Sequence, residues 1–321
     1  MTDLADFRAV TALSKIEQRL QAKTPPAVAQ KLIDWMALLS PTGIAPDYFT
    51  QRTMFPMLLL PEWMAAAAAV PPDCQFQTDL AYSTVNGYYF IRMLDNVMDD
   101  HATVEGLLLP MSAFFHCEFQ GVYQRYFDST HPFWKSFESL WLTSASAVCR
   151  EATSPDLDLD GFCEIAAKKL CAAKIPLAAL HYYYGENSEL ESWLHLADRL
   201  AEWWQFLDDL MDWNKDEARG ACTYFLCEGR RRKHAHECLH EWVAREGFQW
   251  GIDTLNRWMR DLKTLSVHVR SNGVAGFLDD RIHMLDELAH TILPGMKELA
   301  QLAVAMGSIS LESQPDLVTA K

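Results

Sequence analysis

From Asp47 onward the chain repeats one pattern: long stretches with apolar residues three and four apart, interrupted by short breaks. That spacing marks one face of an α-helix, and no stretch alternates polar and apolar residues as a half-buried strand would. The breaks fall at Pro71-Pro72, Pro110, Thr130-His131-Pro132, Ser154-Pro155, Gly185, Gly220, Gly229, Gly247 and Ser271-Asn272-Gly273. Upstream, residues 1–40 read as two helices parted by Thr24-Pro25-Pro26, with Thr24 as the N-cap. A solenoid would need a repeat period, and none is visible. No linker is long enough to separate domains. The pattern predicts an all-α, single-domain helical bundle. Helices in residues 1–44 pack on a main body spanning 45–307, and a polar, disordered tail covers 308–321.

Half of the residues are apolar and 11 are Trp, enough to fill a core and to line a cavity. The formal net charge of −15 sets nucleic acid aside as a partner. It leaves room for an anionic substrate if divalent cations stand between substrate and protein. The eight cysteines contain no C-x-x-C, so free thiols in a reducing compartment are expected. The first residues, MTDLADFRAV, lack a signal-peptide core. The most apolar stretch, Met57 to Val70, is interrupted by Pro61 and Glu62 and is too short to span a bilayer. The expectation is a soluble, cytoplasmic protein without a transmembrane segment.

Two acidic clusters carry the chemistry. In the run from Tyr88 to Asp100, Asp95 and Asp99 stand four apart in an otherwise apolar helical pattern. Four residues return a side chain to nearly the same face, about 6 Å along the axis. In the run from Trp203 to Asp216, Asp208, Asp212 and Asp216 form a stripe that drifts by about 80° over two turns. Asp209 points away from that stripe. Trp203, Trp204, Phe206, Leu207, Leu210, Met211 and Trp213 surround it. Carboxylates so close repel one another, burial makes this worse, and a cation removes the conflict. Magnesium suits such a site, because it keeps several waters and takes one or two carboxylates plus substrate phosphate oxygens. The bland alternative is a solvated acidic face; two clusters in aromatic surroundings argue against it. A di-iron site would want Glu-x-x-His pairs, and neither acidic cluster contains a His.

The run Arg92-Met93-Leu94-Asp95-Asn96-Val97-Met98-Asp99-Asp100 resembles the Arg-x-x-Asp-x-x-x-Asp motif of the squalene/phytoene synthase branch of class I isoprenoid (terpenoid) synthases. Residues Gln205 to Tyr224 are similar to that branch's Gln-x-x-Asn-x-x-x-Asp-x-x-x-Asp stretch, with Asp208 replacing the Asn and Arg219-Gly220 and Tyr224 following. Arg52-Thr53-Met54-Phe55 is a weaker match to its Ser-Arg-Thr-Phe start. The second cluster also resembles the terpene-cyclase pattern Asn/Asp-Asp-x-x-Ser/Thr-x-x-x-Glu and the Asp-Asp-x-x-Asp of chain-elongating prenyl transferases. One departure matters. Where the branch has a Tyr and a Val-Ala-Gly-x-Val-Gly run, this chain reads Phe162-Cys163-Glu164-Ile165-Ala166-Ala167-Lys168-Lys169, with Lys168 in place of the first Gly. That tilts the reading from head-to-head coupling toward a terpene synthase. Pro176 should break or kink the same helix.

The resemblance implies a catalytic domain over 45–307 built around a central apolar active-site cavity. It implies Asp95, Asp99, Asp208, Asp212 and Asp216 as metal ligands and catalytic residues, holding magnesium, about three ions. Arg92, Arg52, Arg219, Tyr224 and one of Lys168, Lys169 and Lys174 of the middle helix, taken as Lys168, are the candidate diphosphate contacts. The basic run Arg230-Arg231-Arg232-Lys233 reads as a solvated helix start, with a loop folding over the diphosphate as the alternative. The implied reaction is ionisation of a prenyl diphosphate, with release of diphosphate and cyclisation or rearrangement of the allylic cation. The alternatives are a transferase that couples two prenyl diphosphates and a binding protein that has lost turnover. Besides the prenyl diphosphate, a homodimer is left open.

Overall fold

Helix is what the periodicity forecasts, and the residues described in the computed structural model, 2–68, 71–98, 105–185 and 189–312, form helices with no strand among them. In chain order they are α1 (Thr2–Lys23), α2 (Pro26–Leu38), α3 (Ala45–Tyr48), α4 (Leu59–Ala67), α5 (Cys74–Met98), α6 (Glu105–Leu108), α7 (Ser112–Tyr123) and α8 (Phe133–Thr153). There follow α9 (Leu159–Lys169), α10 (Ile175–Tyr184), α11 (Leu190–Arg219), α12 (Tyr224–Arg232), α13 (Leu239–Trp242), α14 (Phe248–Val269) and α15 (Asn272–Glu312). One contiguous apolar core runs through them, as a single-domain bundle requires. No helix of the described residues is long and apolar enough to cross a membrane.

Two boundaries differ from expectation. Thr24 is not the N-cap of α2. Its hydroxyl donates to the Leu20 carbonyl at the end of α1, and Pro25 takes the cap position without a side-chain bond. The tail does not begin at Ser308, because α15 continues to Glu312. The rest of the expected tail lies outside the described residues.

The N-terminal helix is fixed to the body by its apolar stripe and by buried charge. Ala9, Ala12, Leu13, Ile16 and Leu20 of α1 are buried at helical spacing. Beside them, Glu118 of α7 accepts from Arg19 (2.8 Å), Lys23 (2.6 Å) and the Tyr82 hydroxyl of α5 (2.7 Å). Burial alone would raise the Glu118 pKa; these three donors outweigh it and bring it down to about 2. Asp79 of α5 is held in the same way by Lys15, Tyr126 and Arg125. α7 lies close along α5, where a Cβ on Gly87 would stand 3.0 Å from the Phe119 ring.

Pro176 breaks its helix as expected, and the position of the break shapes the interior. α9 ends at Lys169, a 3-10 turn spans Leu170–Lys174, and α10 restarts with Pro176 in its first turn. There the missing proline N–H leaves nothing unpaired. Ser144 of α8 donates to the Lys169 carbonyl at 2.5 Å, satisfying an acceptor near the break.

Candidate active site

The broken segment forms one wall of a cavity of about 1220 Å³. The opposite walls come from one face of α5, one face of α11 and the end of α8. On α5 the lining positions are Thr84, Gly87, Tyr88, Ile91, Arg92, Asp95 and Met98, spaced by three and four residues. On α11 they include Trp204, Gln205, Asp208, Asp209, Asp212, Asp216 and Arg219. The rings of Tyr48, Phe55, Phe119 and Trp141 line the same space.

The two acidic helices therefore face a shared cavity, and their charges reach one another across it. Arg92 feels both Asp95 of its own helix and Asp208 of α11. Lys169 feels both Asp95 and Asp209. Asp99 lies outside the described residues. The remaining aspartates of the motif are accompanied by basic side chains three residues away. Arg92 Nη1 donates to Asp95 at 3.1 Å, Lys215 to Asp212 at 2.6 Å, and Arg219 to Asp216 at 2.7 Å.

Asp208 is the exception, with no ion pair among the described residues. Its side chain is exposed, so water screens it in part, although protein surrounds the concavity. Burial first, then repulsion from Asp212 and Asp216, pushes its pKa up to about 6, against the pull of Lys169 and Arg92. Asp209 corrects the sequence reading. It lines the cavity instead of turning away, is 4% exposed, and accepts from Gln205 Nε2 at 2.9 Å. Burial raises its pKa to about 8. A wide cavity takes in more of the helix circumference than one stripe.

The cationic residues divide. Arg92 lines the cavity, and its Nε is buried without a hydrogen-bond partner among the described residues, a donor available to an anion. Arg219 lines it too. Lys168 does not: it pairs with Glu164 at 2.6 Å and borders a separate shallow groove with Arg150. Its neighbour Lys169 faces the cavity instead, paired with Glu151 at 2.6 Å. Burial opposes the Lys169 charge, but Glu151, Asp95 and Asp209 outweigh it and raise its pKa. Arg52 is likewise displaced from the expected position, bound to Asp280 (3.0 Å) and Glu287 (2.8 Å) of α15 outside the cavity lining. Tyr224 is buried against Phe162 and Phe206 and is not a lining residue. Of the basic run 230–233, Arg230 lines the cavity. Arg231 is held by Asp156 and Glu228, and Arg232 by Glu228 and the face of Trp250.

Lys169, Glu151 and Arg230 are lining residues that motif matching misses. For Lys169 a signal exists: Phe162, Ile165 and Ala166 are the buried positions of α9, and 169 follows them by seven, four and three residues, whereas 168 has a helical spacing to Ile165 alone. Arg230 stands in the basic run 230–233, whose alternative reading is a loop over the diphosphate, whereas Glu151 carries no comparable signal.

Among the described residues no three His, Cys, Asp or Glu side chains converge into a ready-made metal cage. Magnesium does not need one, since water and substrate phosphate complete its octahedron. What the chain provides is a row of oxygen donors, one of them an unpaired carboxylate whose charge the fold disfavours. That donor set fits a hard divalent cation. No protein-family model matches this chain, and no curated protein matches it either.

Proposed function

We propose that this chain is a class I isoprenoid synthase: a magnesium-dependent terpene synthase that ionises one prenyl diphosphate and cyclises or rearranges the allylic cation. The observation that carries the reading is the convergence of the α5 and α11 aspartates on one aromatic-lined cavity of about 1220 Å³. Asp95, Asp99, Asp208, Asp212 and Asp216 would hold magnesium, which when bound supplies Lewis-acid stabilisation of the departing diphosphate.

The chain's own groups then have distinct tasks. Arg92, Arg219, Lys169 and Arg230 bind and orient the diphosphate. Within the cavity Arg92 and Arg219 are paired with Asp95 and Asp216. A diphosphate would compete for these arginines and leave the carboxylates free to hold a divalent cation. The substrate hydrocarbon lies against Tyr88, Phe119 and Trp141, whose ring faces stabilise positive charge. Exclusion of water by the same wall delays quenching. Lys168, which stands where coupling enzymes have a glycine, faces away from the cavity. The expected location is the cytoplasm.

The test is incubation of the protein with magnesium and ten-, fifteen- or twenty-carbon prenyl diphosphates, measuring diphosphate release and product mass. One-substrate terpenoids support the proposal. A thirty- or forty-carbon product would assign the coupling reaction, and tight binding without release a binding role. Neither binding nor release with any substrate would remove the proposal.

A further inference from the structure

Directly after the acidic helix α11, the chain makes two caps in quick succession. Gly220, at φ +71°, ends α11, with its N–H and that of Ala221 returning to the carbonyls of Glu217 and Asp216. Thr223 then caps α12 by accepting from the Leu226 N–H at 3.4 Å. In that geometry the residue before the cap and the fourth helical residue meet, the contact known as a hydrophobic staple. Here those residues are Cys222 and Cys227, and their sulfurs lie 3.3 Å apart. No other two thiols among the described residues come into contact. The contact thus has two supports: the coordinates, and the cap that dictates the direction of chain entry.

The two thiols differ in access. Cys222 is part-exposed and lines the cavity, whereas Cys227 is 1% exposed, packed in the core and accepting from the Leu157 N–H at 3.4 Å.

We propose that Cys222 and Cys227 form a modification site: an intramolecular disulfide made at the cavity wall by a small hydroperoxide entering through the cavity. The Cys222 sulfur attacks the O–O bond and becomes a sulfenic acid, with release of water or an alcohol. The Cys227 sulfur attacks the sulfenyl sulfur, forming the S–S bond; the hydroxide expelled takes the Cys227 proton and leaves as a second water. Two thiols supply the two electrons that reduce the peroxide. Closing the bond brings the sulfurs from 3.3 Å to about 2.05 Å, a change within side-chain reach. Burial pushes the Cys227 thiol up to about 12, so it is a poor nucleophile toward free peroxide and acts by proximity to a modified Cys222. The bond would brace the segment Gly220–Thr223, which connects Asp216 and Arg219 to Arg230.

The full-length protein is treated with a small excess of hydrogen peroxide and measured by intact mass, thiol titration in denaturant and peptide mapping. The expected result is a loss of about 2 Da, a fall from eight titratable thiols to six, and a Cys222–Cys227 cross-linked peptide, all reversed by dithiothreitol. In Cys227→Ser the mass loss should vanish, and a dimedone adduct should appear on Cys222. A stable sulfenic acid on Cys222 in the unsubstituted protein, a bridge between other cysteines, or eight remaining thiols would each overturn the proposal. These readouts are chemical and stand apart from the isoprenoid reading.

Discussion

Asp208→Asn should make the metal-free protein more stable while removing its activity. The carboxyl titrates at about 6 in the fold against 3.8 for an unperturbed aspartate. A shift of two units corresponds to about 3 kcal/mol at full weight. Water reaches the side chain and screens it, so about 1 kcal/mol is a fair expectation. For a chain of 321 residues, an unfolding entropy of about 2.1 cal/mol/K per residue converts that to a Tm rise of roughly 1–2 °C. The sign depends on pH. The folded protein keeps this proton to higher pH than the unfolded chain, so the penalty is absent below 3.8, grows through the window and is complete above about 6. Scanning calorimetry in EDTA should therefore show the full gain at pH 8 and about a third of it at pH 4.5. The same variant should lose more than about 100-fold in magnesium-dependent turnover, since a metal ligand is gone. A lower Tm at pH 8, or equal gains at both pH values, would refute the electrostatic reasoning.

Glu118→Gln should act in the opposite sense. Its pKa is held at about 2 against 4.5, so its stabilisation is present above 4.5 and fades as pH falls toward 2. A loss of about 2 kcal/mol, or ~3 °C in Tm at pH 7, is expected, with earlier proteolysis in α1. Lys169→Ala should weaken diphosphate release roughly 10–100-fold, the worth of a charge-assisted contact, while Lys168→Ala stays within about twofold; equal effects would return Lys168 to the site. Arg230→Ala should raise the inhibition constant for inorganic pyrophosphate by about 10-fold and leave Tm unchanged. Gly87→Val should cost about 1–3 kcal/mol, because its branches would press into the Phe119 ring, and should narrow the range of accepted chain lengths.

The helical architecture was legible because each long segment repeats its apolar residues at three and four, and because prolines and glycines mark most of the ends. The stripe Asp208, Asp212, Asp216 and the neighbouring Arg92 and Asp95 could be placed on helix faces by counting alone, and those faces line a cavity. Counting was less informative where a wall is wide or a chain is irregular. Asp209 is one step off the stripe, yet the cavity spans enough of α11 to include it. Lys168 was selected by motif alignment, whereas the buried series of α9 leads to Lys169. Arg52 lies in a loop without periodicity, and only tertiary structure shows it bound to α15. Tyr224 carries no positional clue that separates packing against Phe162 from covering a site.

The most direct test is anomalous diffraction from crystals grown with manganese and inorganic pyrophosphate. The account predicts manganese peaks between Asp95 of α5 and the Asp208–Asp216 stripe of α11, bridged to a pyrophosphate that also contacts Arg92. A cavity that binds neither ion nor pyrophosphate at saturating concentrations, or manganese bound only elsewhere on this acidic surface, would contradict it.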